Sequence, residues 1–345
     1  MKNSYPIDVF QSGTVLLGHR ISCDGFHRDY SVRVQTHVHD DHMDNFDTSK
    51  GAQNLFMSEA TRQLLVCEFN ADLPYRDNVY PLELGASHSV EDHKLTLLHS
   101  GHMLGSVQVA AELPNGMRLG YSGDFRWPLD HVIEVDALVV DSTYGSPERK
   151  REYTQEEAEE RFLNLVLSRV MRGPVYIKAH RGTIQRALQI LSGQLDCPLL
   201  ATARLCEDVE VYRNHGYTIG DICRVDSEAG RAHIRAGRFI RFYAKGDGEP
   251  PIQLSRGSTI TLSAYMARPD DPVLEYSDCS FGVALSNHAD FDGTLEYVKA
   301  TKAKYVVTDN VRGGHGVELA LEIKKRLGIP ARPSTTTYSR EWGLS

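Results

Sequence analysis

The chain has 345 residues, 41% of them hydrophobic and 24% charged, the balance of a globular protein able to bury a sizeable core in one large domain or two ordinary ones. No apolar run approaches bilayer length, and the opening MKNSYPIDVFQSG carries neither a cationic segment nor an apolar signal core, so a cytoplasmic protein is expected. The net charge of −8 excludes a surface coated with basic groups but leaves room for a local basic groove.

The first third reads as short β runs separated by turns: TVLLG, VRVQTH, KLTLLH, VQVAAEL, MRLGYSG and ALVVDSTYG. Several end in a polar residue followed by glycine or a charged cluster, the texture of strand ends that carry a site. From Thr154 the pattern changes. TQEEAEERFLNLVLSRVM places apolar residues at helical spacing and acidic ones in its first turns, which predicts a helix. PVYIKAHRGTIQRALQIL predicts a strand, a tight turn and a helix. The turn at Arg181, Gly182 and Thr183 would aim backbone N–H groups at a substrate phosphate. PLLATA, FIRFYA and STITLSAYM read as further strands, and the closing third reads strand, helix, strand, helix. The pattern is α/β throughout, without internal repeats, and the middle section reads as an inserted layer.

Six scattered cysteines without a Cys-x-x-Cys pair indicate neither a zinc ribbon nor a disulfide framework. The histidines carry the signal. VRVQTHVHDDHMDNF holds His37, His39, Asp41 and His42 just after a predicted strand. Alternate residues of an extended chain share a face, so His37 and His39 can approach one ion, and Asp41 and His42 in the following turn can reach a second. Imidazoles and a carboxylate suit zinc or a similar divalent ion, with an open position for water. An isolated histidine is usually a solvated or structural residue, as expected for His88, His93, His99, His131 and His233; four potential ligands within six positions are not so explained.

This run resembles the signature of the metallo-β-lactamase superfamily, and later motifs follow in order. His102 in SGHMLGS matches the next metal-binding histidine, and Asp124 in YSGD matches the carboxylate that bridges two ions. Asp141 in DSTYG looks like the first motif of the β-CASP branch, and His288 in SNHAD looks like the second. The resemblance covers nearly the whole chain. In LSAYM, SNHAD and the compact insertion it is strongest to exonuclease-like proteins associated with DNA ligases, and weaker to messenger-RNA 3′-end processing nucleases.

What the resemblance implies is specific. The fold would be a metallo-β-lactamase αββα sandwich over residues 1–145 and 281–345, with a β-CASP cap domain over 146–280. Two divalent ions, zinc first and manganese as the alternative, would be held by His37, His39, Asp41, His42, His102 and Asp124. A hydroxide bridging the ions would attack phosphorus, with Asp41 beside it, and His288 oriented by Asp141 would protonate the leaving oxygen. The substrate would be single-stranded nucleic acid, DNA favoured over RNA, cut as an exonuclease within a repair or processing complex and without a membrane. In the insertion, Arg224, Arg231, Arg235, Arg238, Arg241 and Lys245 are spaced so that several share a face, either as ordinary solvated surface or as a groove for the phosphate backbone.

The chain departs from the family pattern at one position. Where a histidine completes the second metal site, VVTDN supplies Asp309. Asp309 could ligate the ion, His315 in RGGHG could replace it, or the second site could be weak. Two rival readings follow: an impaired nucleic-acid-binding subunit, and a hydrolase of small esters on the same fold. Retention of the whole first motif argues against the former, and the paired Asp141 and His288 against the latter.

Overall fold

The computed structural model describes residues 5–69, 72–250, 257–263 and 268–335. Two compact units form, Met1–Lys150 with His288–Ser345, and Arg151–Asn287.

The first unit contains two sheets. One has six strands in chain order, β1 (Ile7–Val9), β2 (Val15–Leu17), β3 (Ile21–Cys23), β4 (Val32–Val34), β5 (Asn54–Ser58) and β6 (Val79–Leu82). Its early strands pair antiparallel, and β3 to β6 pair parallel. The other comprises β7 (Ser87–Val90), β8 (His93–His99), β9 (Val107–Glu112), β10 (Arg118–Tyr121), β11 (Ala137–Val140), β19 (Tyr305–Thr308) and β20 (Ala331–Pro333), in the order β20-β19-β11-β10-β9-β8-β7.

The apolar alternation of β11 shows why two layers stack. Ala137 and Val139 join the core between the sheets, while Leu138 and Val140 point the other way, into a second core under α7 (Phe291–Ala300) and α8 (Gly316–Leu327). Period-two side chains make ALVV apolar on both faces, as a covered parallel strand requires. Each of the larger side chains contributes about 1.5–3 kcal/mol on burial. Helices α1 (Phe46–Ala52) and α2 (Glu59–Phe69) pack against β5 on the far side of the first sheet. The layers therefore run helix, sheet, sheet, helix.

The second unit is a largely parallel sheet of β12 (Val175–Lys178), β13 (Leu199–Ala201), β14 (Ile222–Arg224), β15 (Ile240–Tyr243), β16 (Ser258–Leu262), β17 (Val273–Ser277) and β18 (Ser280–Val283), ordered β14-β13-β15-β12-β16-β18-β17. Among the described residues, only the β17–β18 pairing of this sheet is antiparallel. Helix α3 (Gln155–Val170) begins where the sequence pattern changes. Thr154 Oγ1 accepts the Glu157 N–H at 3.1 Å, and Glu157 Oε2 accepts the Thr154 N–H at 2.7 Å, a reciprocal cap of the type worth about 1 kcal/mol. Ala158, Phe162, Val166 and Val170 form its buried stripe. The unit is completed by α4 (Thr183–Leu191), α5 (Ala203–Asn214) and α6 (Glu228–Ala236). The expected strand STITLSAYM is described as far as residue 263; residues 264–267, which hold the rest of the LSAYM motif, lie outside the described residues. No described helix is long and apolar enough to cross a membrane.

Candidate metal centre

The centre is assembled on the loop that leaves β4, and its scaffold is buried polar groups. Arg33 is fully buried. Its Nε and Nη2 donate to Gln35 Oε1 at 3.1 and 2.7 Å, its Nη1 to Asp44 O and Ser49 Oγ at 2.8 Å, and its Nη2 also to His42 O at 3.2 Å. Gln35 Nε2 then donates to His37 O at 2.7 Å and to His42 O at 3.0 Å. The backbone of the histidine motif is thus held from behind. Burial brings the Arg33 guanidinium down to about 10, still cationic at neutral pH.

A second buried group orients His42. Asp24, at the end of β3, accepts the Thr36 N–H at 2.7 Å, the Thr36 hydroxyl at 2.6 Å and His42 Nδ1–H at 2.7 Å. With Nδ1 committed, His42 presents Nε2 to the centre, 3.3 Å from Asp124 Oδ1 and 3.6 Å from Asp41 Oδ2. Asp24 lies near enough to His37 and His42 to count as a ligand candidate. Three accepted hydrogen bonds make it an orienting partner behind the ligands instead.

Asp124 stands in the middle. The preceding Gly123 has φ +55°, and a Cβ there would meet Val107 O at 2.5 Å, so only glycine brings the chain round this tightly. Asp124 Oδ2 lies 3.5 Å from His37 Nε2, 3.6 Å from His102 Nε2 and 3.8 Å from His288 Nε2. His102 Nε2 is 3.2 Å from His39 Nδ1. Donors about 2.0–2.2 Å from a tetrahedral ion stand about 3.3–3.6 Å from one another, so His37, His39, His102 and Asp124 have the spacing of one ligand set. Among the described residues, the buried Nε2 atoms of His37 and His42 have no hydrogen-bond partner. Buried polar atoms are rarely left so, and a divalent ion beside each would satisfy them. His42, Asp41 and the second oxygen of Asp124 offer a further, three-donor position beside the first.

The electrostatics favour a cation. Burial opposes protonation of His42, but Asp124 and Asp24 outweigh it and lift the imidazole up to about 10. Burial likewise opposes charge on Asp124, yet His42 and His288 hold its carboxyl well below the usual range. His37 is driven well below its ordinary value by burial and by His42, which leaves it neutral, the form that binds metal.

Next to this set lies an oriented histidine. Asp141, one residue beyond β11, accepts His288 Nδ1–H at 3.0 Å through Oδ2, and through Oδ1 accepts the Thr143 N–H and hydroxyl, both at 2.8 Å. Burial works against charge on His288, but Asp124 and Asp141 raise its pKa.

Comparison with known proteins gives the frame. No family model matches the chain. A protein of Acidianus ambivalens, described as an uncharacterized protein in the lig 3′ region, is 31% identical over 138 residues, 39% of this chain and 98% of that protein. The DNA cross-link repair 1A protein of Homo sapiens is 30% identical over 152 residues, 42% of this chain. Transcription termination factor FttA of Pyrococcus abyssi is 28% identical over 137 residues, 35% of this chain. The chain belongs to the β-CASP branch of the metallo-β-lactamase superfamily. The matched stretch spans only 13% of the human and 21% of the P. abyssi relative. A crystal structure of a protein of unknown function from Enterococcus faecalis V583 shares the fold, with a TM-score of 0.56 at 12% identity over 82% of this chain and 76% of that one.

Within this metallo-β-lactamase chain, the structure brings His37, His39, His42, His102 and Asp124 together and sets Asp41 at the rim, its side chain 60% exposed. It does not add Asp309 to them. Asp309 is buried at the end of β19, where Oδ1 accepts the Val311 N–H at 2.9 Å and Oδ2 is bound by Arg312 Nη1. The guanidinium has taken the carboxylate expected to ligate an ion. Nor does His315 fill the gap. It caps α8, donates its N–H to Ser142 O at 2.8 Å and has Nδ1 3.6 Å from Glu318.

The expected phosphate turn in the second unit is also self-satisfied. The Gly182 N–H donates to Gln185 Oε1 at 2.7 Å, the Ile184 N–H to His180 O at 3.1 Å, and Arg181 Nε to Asp208 Oδ2 at 3.2 Å. The Gly182 N–H, the Ile184 N–H and Arg181 Nε are therefore spent inside the fold and not open to an anion. The basic run is spread over several elements. Arg231 and Arg235 sit one turn apart on α6, but Arg238 precedes β15 and Lys245 follows it, at opposite ends of the strand. Arg224 is paired with Asp226 at 2.7 Å.

Sequence reasoning missed Asp24, Arg33, Gln35 and Arg312. The signal for two of them was present: Arg33, Gln35 and His37 alternate in VRVQTH, a polar face on a chain whose other face is Val32 and Val34.

Proposed function

We propose that the chain is a metal-dependent nuclease that hydrolyses phosphodiester bonds of single-stranded nucleic acid, with residues 151–287 forming the β-CASP cap domain and DNA as the preferred polymer. The observation that carries this reading is the Asp141–His288 pair, with His288 Nε2 3.8 Å from the central Asp124 carboxylate.

His37, His39, His102 and Asp124 would hold one ion, and Asp41, His42 and Asp124 the other. When bound, the ions supply an activated water and neutralise charge on the phosphoryl oxygens. The chain's own residues do the rest. Asp24 keeps His42 in the tautomer that presents Nε2, and Arg33 with Gln35 holds the loop carbonyls so that the ligand set is preformed. Asp141 accepts from His288 Nδ1, leaving Nε2 to carry a proton toward the leaving oxygen, and both carboxylates near His288 favour the protonated form needed of a general acid.

The relatives support a nucleic-acid substrate on both sides: DNA cross-link repair proteins of Homo sapiens and Arabidopsis thaliana, and an endoribonuclease, ysh1, of Schizosaccharomyces pombe. DNA is preferred here on the Acidianus ambivalens relative, described by its place beside lig and matched along almost its whole length. The test is His288→Ala. Cleavage of 5′-labelled single-stranded DNA should slow by about 10²–10⁴-fold while the metal content stays that of the wild type. Wild-type cleavage by this variant would remove the general acid from the account.

A further inference from the structure

After β19 the segment DNVRGG carries a guanidinium to the second half of the centre. The Arg312 side chain is 10% exposed. Besides binding Asp309 through Nη1, it donates Nε–H to Asp41 O at 3.1 Å, Nη2–H to Gly13 O, and approaches the Tyr121 hydroxyl at 3.5 Å. Its charge acts favourably on Asp309, Asp24 and Asp124 and unfavourably on His42. Guanidinium stays protonated throughout the range in which proteins work, unlike imidazole or ammonium. A second ion at His42 and Asp41 would therefore lie in the field of a permanent, poorly screened positive charge, and it would lack the carboxylate that Arg312 has engaged.

We propose that Arg312 sets the metal content of this chain. It withholds Asp309 from the second ion and stands in for part of that ion's charge, so that one ion binds tightly at His37, His39, His102 and Asp124 and another binds weakly at His42 and Asp41. The proposal rests on the two-position reading of the centre given above. Arg312 is a positioning residue: its donors are spent on protein oxygens, and it also ties the Asp41 backbone to the turn at Gly13.

Metal content of the full-length chain after dialysis, with calorimetric titration of zinc, tests this without reference to cleavage. The wild type should retain one ion per chain and bind the next at least about tenfold more weakly. Asp309→Asn should leave the tight ion in place and should not tighten the second, because Asp309 ligates nothing. Arg312→Met removes the charge and frees the carboxylate, and should tighten the second ion by about tenfold or more. Because Arg312→Met leaves a buried carboxylate unpaired, the double variant Arg312→Met with Asp309→Asn guards against loss of folding. It should still bind the second ion more tightly than the wild type. Two equally tight ions in the wild type, loss of an ion in Asp309→Asn, or an unchanged second ion in the folded Arg312 variants would each overturn the proposal. A chain with one tight ion that cuts no nucleic acid would instead count against the nuclease reading alone.

Discussion

Asp24→Asn is the substitution that most directly probes how the centre is preformed. The shape is conserved, but the hydrogen-bond pattern is not. Asp24 accepts from three donors, the Thr36 N–H, the Thr36 hydroxyl and His42 Nδ1–H, at 2.6–2.7 Å. The Thr36 N–H at Oδ1 cannot accept a hydrogen bond, so an asparagine must place its N–H₂ at the Oδ2 position, where it faces both the Thr36 hydroxyl and His42 Nδ1. His42 Nδ1 then becomes the acceptor, the proton moves to Nε2, and the lone pair that faces Asp124 is lost. Partners that hold a ligating imidazole typically contribute 10–100-fold to metal affinity, which is about 1.4–2.7 kcal/mol. Loss of charge-assisted bonds in a fully buried place adds a folding cost of about 1.5–3 kcal/mol. Calorimetric titration with zinc should therefore show the ion at His42 weakened by about 10–100-fold while the ion at His37, His39 and His102 stays tight. A thermal melt of the metal-free chain should also move down. Unchanged binding of both ions in Asp24→Asn would refute the orienting role.

Two further predictions concern parts away from the metals. Asp208 is buried, and burial, partly offset by Arg181, raises its carboxyl from the ordinary aspartate range to about 6. Because the folded chain holds this proton more firmly than the unfolded one, stability is greatest below about pH 4 for this group and falls as pH rises to about 6, by about 3 kcal/mol. Asp208→Asn should remove that slope, so urea midpoints of variant and wild type should diverge across this window; parallel curves would contradict the assignment. Leu138→Ala, in the core between β11 and the helices α7 and α8, should cost about 2–5 kcal/mol in urea unfolding, and a loss below about 1 kcal/mol would show that this core closes around the gap.

The legibility of the site followed its chemistry. His37, His39, His42, His102, Asp124, Asp141 and His288 announce themselves because metal and proton chemistry admits few residue types and the motifs are short. The alternation in ALVV and the cap at Thr154 likewise expose β11 and α3, since both are local patterns. What the sequence hid depends on partners far along the chain. Asp309 has the chemistry of a ligand, and only its pairing with Arg312 removes it from the set. Arg181 and Gly182 have the look of an anion site until Gln185 and Asp208 are found to use their donors. Asp24 has no motif of its own; its role appears only when β3 is paired alongside β4.

The most direct test of the central claim is a cleavage assay on one purified sample. 5′-labelled single-stranded DNA and RNA would be incubated with zinc or manganese, alongside His37→Ala. The account predicts metal-dependent cutting of the DNA in preference to the RNA and none by His37→Ala. Metal-loaded, folded wild-type protein that leaves both polymers intact, or a His37→Ala variant that still cuts, would contradict it.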